Sequence, residues 1–158
     1  MSKRADAYHE SGHAIAALVY SHYFKNVNII HRKKSDGRLA GYIGGFPLDC
    51  AIVYYSGAIA CSKIGDGIIF CGGENDVRYA HEQIAWVCDY LLKPDRFEEV
   101  RRDIYSSAEW LVDNNWAQIE VVAEKLIKKK KILYGDVIKL LIKNDLFNSL
   151  KMPERLKL

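Results

Sequence analysis

A mainly α fold with a small β element is what this sequence predicts, on three observations. Apolar residues recur close to every 3.6 positions through most of the chain, strand-like signals are confined to residues 27 to 43, and only Pro47, Pro94 and Pro153 interrupt the pattern. The 158 residues fit a single domain, 1–158. A chain of this length can bury about two thirds of its unfolded surface, enough for a core without a metal or disulfide to hold it together.

The elements follow in order. Ala5 to Tyr20 holds no proline and repeats apolar residues at Tyr8, Ile15, Leu18 and Val19 with alanines between them, which predicts a first helix. A short strand region and glycine turns occupy residues 27 to 43, and a small-residue helix follows around Ser56-Gly57-Ala58-Ile59-Ala60. After Gly72-Gly73 a helix begins at Glu74-Asn75-Asp76 and runs through Val77, Ala80, Ile84, Val87, Cys88 and Leu91. Pro94 marks the start of another reaching about Val112, Asn114-Asn115 break it, and Gly135-Asp136 open the last. The run Lys128 to Lys131 is expected to close a helix, where cations suit the negative end of the dipole. Trp86, Trp110 and Trp116 are expected to fill the core.

The first helix carries His9-Glu10-Ser11-Gly12-His13, the HExxH pattern. Two histidines four residues apart lie on one helical face a turn apart, so both imidazoles can reach one Zn²⁺. Glu10 lies beside that face. A carboxylate there can take a proton from water that the metal has acidified, as the general base of peptide hydrolysis.

A catalytic zinc takes three protein ligands and keeps a fourth position open, so a third must come from elsewhere. The extended motif with glycine at 16 and histidine at 19 is excluded by Ala16 and Val19. His22 and His31 read as solvated, and His81 is a second-rank candidate on the later helix. Asp76 and Glu74, at that helix's start, are explained equally well as dipole partners or as ligands.

At these positions the chain resembles the zinc-peptidase domain of the FtsH-type ATP-dependent metalloproteases. Ala7-Tyr8-His9-Glu10-Ser11-Gly12-His13-Ala14 is similar to that family's metal helix, glycine before the second histidine included. Val27-Asn28-Ile29-Ile30 with Leu39-Ala40-Gly41-Tyr42 resembles the strand and turn behind it, and Ser56 to Ala60 its glycine-alanine helix. Gly73-Glu74-Asn75-Asp76-Val77, with Ala80 beyond, resembles the segment whose aspartate completes the zinc site. Ile119 to Leu126 and Gly135 to Ile138 are similar to the closing helices, so the resemblance covers about residues 5 to 142. It implies His9, His13 and Asp76 as Zn²⁺ ligands and Glu10 as general base. Two acids usual in the family are replaced by Cys61 and Ser62, and its proline-arginine-glycine turn by His31 to Gly37.

No phosphate-binding glycine-lysine loop occurs, so the expectation is a free-standing peptidase-like domain that takes loose chains or borrows a separate unfoldase or adaptor. The family's hexameric rings leave a homo-oligomer open. No stretch of about 18 to 20 apolar residues could span a membrane. The net charge of +3 is too slight to announce nucleic acid. Cys50, Cys61, Cys71 and Cys88 form no CxxC pair and read as reduced and mostly buried, and the segment behind Lys3 and Arg4 is broken by His9, Glu10 and His13 instead of forming a signal-peptide core, so a cytoplasmic location is expected. Two functions compete: a zinc endopeptidase of flexible or unfolded polypeptides, and a non-catalytic zinc-containing interaction module of the same fold. The presence of Glu10 favours the first, because zinc binding alone does not require it.

Overall fold

The computed structural model describes residues 2–30, 38–65, 74–91 and 93–154. The chain is mainly helical with a three-stranded sheet. Its centre is α1, Lys3–Val19, capped by Ser2, whose hydroxyl accepts from the Ala5 amide at 3.1 Å. Every residue from Ala5 to Val19 is buried. Small side chains make this enclosure feasible: Ala5, Ala7, Gly12, Ala14, Ala16 and Ala17 let neighbours close in from several sides.

Helix α2, Pro47–Lys63, starts with proline in its first turn and packs along α1 more extensively than any other element. Gly12 is the reason they come so close. A Cβ there would collide with the Ser56 carbonyl and with Ala60. Helix α3, Glu74–Leu91, lies against α2 and presents Ala80, Ile84, Val87 and Cys88 to the core. A 3₁₀ turn at Pro94–Arg96 leads into α4, Phe97–Asn114, which also packs on α2, while α5, Trp116–Lys129, covers α1. Asn115 joins α4 to α5. Its buried amide donates to the Leu111 and Lys151 carbonyls and its Oδ1 accepts from the Lys151 amide at 2.8 Å, pinning the C-terminal segment.

The sheet is larger than the sequence announces. β1, Asn26–Asn28, pairs antiparallel with β2, Arg38–Ala40, and on its other edge with β3, Lys131–Leu133. Val27 thus stands opposite both Leu39 and Ile132. The lysine run therefore does more than close a helix: Lys130 ends α5 in a left-handed conformation, φ 62°, its carbonyl accepts from the Ile29 amide at 2.9 Å, and Lys131 enters the strand. Helix α6, Tyr134–Lys143, follows directly.

Four expectations need correction or comment. Trp86 and Trp110 are 46% and 41% exposed, because shorter apolar side chains occupy the inward stripes of α3 and α4. Only Trp116 packs inward, stacked on Tyr8 with ring centroids 5.5 Å apart. His22 is buried, not solvated: a left-handed residue at Ser21 turns the chain back, and Nδ1 of His22 is hydrogen-bonded to the Tyr42 hydroxyl at 2.8 Å. Cys50 and Cys88 are free and buried, whereas Cys61 is disulfide-bonded, against the expectation of four reduced thiols. The readings of His31, of the basic cluster Arg32 to Lys34 and of Cys71 lie outside the described residues. Among the described residues no helix is long and apolar enough to cross a membrane.

Candidate metal centre

Burying α1 forces a question about its polar side chains. Asp6, His9, Glu10, Ser11 and His13 are all at most 6% exposed, and polar groups withdrawn from water must be compensated by partners. The two histidines find theirs in each other's neighbourhood and on two other helices. Their rings cross at 86° with centroids 4.6 Å apart, and their Nε2 atoms lie 3.0 Å apart. Asp76, in the first turn of α3, reaches them: its Oδ2 is 3.0 Å from Nε2 of His9 and 3.3 Å from Nε2 of His13.

His13 is held from behind. Its Nδ1–H donates to the backbone carbonyl of Val53 on α2 at 2.7 Å, which leaves Nε2 facing His9 and Asp76. The ring lies against Gly57, one turn further along α2, where any Cβ would run into it. Gly12 and Gly57 therefore serve one purpose from opposite helices: the first lets the backbones approach, the second leaves the gap that the His13 ring fills.

The charges of the group are strongly coupled. Burial disfavours a charged His9 and lowers its pKa, with Asp76 only partly offsetting this. Burial opposes a charge on His13 too, but the Asp76 carboxylate, acting by charge and hydrogen bond, and Glu10 outweigh it and push His13 up to about 9. The Asp76 carboxyl, which burial alone would raise, is held far below the usual carboxylate range by the two imidazoles. Without a metal these shifts favour a proton on His13 beside an ionised Asp76, with His9 neutral.

These three residues fit a metal ion. A tetrahedral zinc with ligands at about 2.0–2.1 Å requires ligand atoms roughly 3.3–3.4 Å apart. The observed separations are 3.0, 3.0 and 3.3 Å, close to that spacing. Two neutral imidazoles and one carboxylate are a zinc donor set, and among the described residues no fourth His, Cys, Asp or Glu joins the group.

Of the candidates raised by the sequence, His9, His13 and Asp76 come together, and Glu10 is buried beside them, close enough for its charge to act on His13. Glu74 and His81 do not join. His81 instead sets its ring against Tyr55 and Phe97, 6.2 and 5.7 Å between centroids, and with Glu74 it lines an open cavity of about 450 Å³ on another face of α3. Sequence reasoning did not find the Val53 carbonyl, since any residue supplies one. Gly57 could have been found, as a glycine inside a helix otherwise built for packing. The chain matches no model of a known protein family and no curated protein.

Proposed function

We propose that this chain is a zinc-dependent endopeptidase of flexible or unfolded polypeptides, of the FtsH-like peptidase type. One observation carries the reading: Asp76, 67 residues from His9, meets both histidines of a helix that also presents Glu10. A bound zinc would supply Lewis-acid polarisation of the scissile carbonyl and acidify the attacking water.

His9, His13 and Asp76 would hold the ion through Nε2, Nε2 and Oδ2, and the Val53 carbonyl keeps His13 in the tautomer this requires. Glu10 takes the proton of the attacking water and then delivers it to the leaving amine nitrogen, so one carboxylate serves first as base and then as acid. A 2-His-1-carboxylate set also suits non-haem iron(II). The carboxylate of Glu10 next to the ligands favours hydrolysis over oxygen chemistry.

A substrate must enter as an extended, loose chain, so folded proteins would first have to be unfolded. A cytoplasmic setting belongs to the same proposal, and the Cys61 disulfide is the feature that weighs against it. The test is Glu10→Gln, assayed on unfolded casein after zinc reconstitution. Cleavage should fall by at least about 10²-fold, with zinc content and thermal melting unchanged. Equal activity in the variant would sink the mechanism.

A further inference from the structure

Tyr54 and Tyr55 are adjacent on α2, yet the helix sends them to different places. Tyr55 is 3% exposed and packs away from the metal ligands, its ring 5.3 Å from Tyr105 and 6.2 Å from His81. Tyr54 is half-buried and close enough to Asp76 to feel its charge. It directly follows Val53, whose carbonyl holds His13, and its ring lies 5.5 Å from that of Tyr79, one turn beyond Asp76 on α3.

Tyr54 thus sits on the helix that anchors His13 and packs against the helix that carries Asp76. The ring is fixed on both sides, by Tyr79 and by Tyr42, whose centroid is 6.2 Å away. Its hydroxyl is different from that of Tyr42. The Tyr42 hydroxyl is engaged by His22 at 2.8 Å, while among the described residues the Tyr54 hydroxyl makes no hydrogen bond. Burial and the neighbouring Cys50 and Asp76 charges keep the phenol protonated, hence a donor throughout the neutral range. An unengaged O–H on a ring packed between two others, within electrostatic reach of Asp76, is what a peptide carbonyl developing negative charge requires.

We infer that Tyr54 donates a hydrogen bond from its hydroxyl to the oxygen of the substrate's scissile carbonyl, and that this bond tightens as the carbonyl becomes tetrahedral. This rests on the peptidase reading. No bond of Tyr54 is made or broken: the O–H proton stays on the phenol, and the reaction's own proton is the one that Glu10 moves.

The decisive variant is Tyr54→Phe, which keeps the ring and its packing and removes only the donor, with Tyr55→Phe beside it as the control. Three readouts are compared on zinc-reconstituted protein: kcat and KM on an unfolded casein-derived peptide, zinc per chain by elemental analysis, and the Kd of a phosphinic peptide by calorimetry. The phosphinic group mimics the tetrahedral carbon without being cleaved. Tyr54→Phe is expected to lower kcat roughly 10²-fold and weaken the phosphinic peptide by a similar factor, with KM and zinc unchanged. Tyr55→Phe should match wild type in all three. A loss confined to KM, or no loss in kcat and in phosphinic affinity, overturns the role of Tyr54 while leaving the peptidase standing. A wild type that holds zinc and cleaves nothing overturns both.

Discussion

Nδ1 of His13 donates to the Val53 carbonyl at 2.7 Å, and the ring making that bond occupies the space that Gly57, one turn along the same helix, leaves open. The second candidate ligand is therefore positioned by the backbone of α2, and its position depends on a side chain that is absent. Gly57→Ala should expel the ring. We expect the variant to stay folded, destabilised by about 1–3 kcal/mol, and to lose zinc affinity by 10-fold or more. Parallel thermal melts and zinc titrations check this, and wild-type affinity in the variant would contradict the geometry.

Gly12 gives a contrasting result. There the obstacle to a Cβ is the Ser56 main-chain carbonyl together with Ala60, neither of which can swing aside. Gly12→Ala is expected to push α1 from α2 and cost roughly 1–3 kcal/mol or more of folding stability. Urea titration reads that loss directly, and an unchanged midpoint would show that the helices have slack that the structure denies.

The coupled proton sets a pH dependence with a definite sign. His13, at about 9 against an ordinary 6.5, binds its proton more tightly folded than unfolded. The metal-free protein therefore has this stabilisation in full below pH 6.5 and loses it as pH rises through about 9. Asp76, whose carboxyl is held below its ordinary 3.8, contributes above that value and loses its contribution as pH falls through its folded pKa. Zinc reverses the upper limb, because it needs the proton removed from His13. Between pH 6.5 and 9 the Tm of metal-free protein should fall while the rise in Tm on adding zinc grows. A zinc-induced rise that shrinks over this window would contradict the assignment of that proton to His13.

The fold and the site were not equally legible. The helix bearing His9, Glu10 and His13 declared itself because its spacing and its chemistry agree, and α3 began at Glu74 as its acids and preceding glycines indicate. What failed was whatever depends on a partner distant in sequence. β3 hid in a lysine run because three residues become a strand only when Val27 is there to pair with Ile132. The burial of His22 depends on Tyr42, 20 residues on. Periodicity shows that Trp86 and Trp110 lie on helices but cannot say which face looks inward when smaller residues fill the core. The third ligand was ambiguous for the same reason. Glu74 and Asp76 look alike at a helix start, and only the packing of α3 on α2 distinguishes them.

The central claim, that His9, His13 and Asp76 form one zinc site, is tested most directly by elemental analysis of the purified protein beside His13→Ala and Asp76→Ala. The account predicts about one zinc per chain in wild type and its loss or severe weakening in both variants. Zinc retained in Asp76→Ala, iron in place of zinc, or no zinc after reconstitution would contradict it.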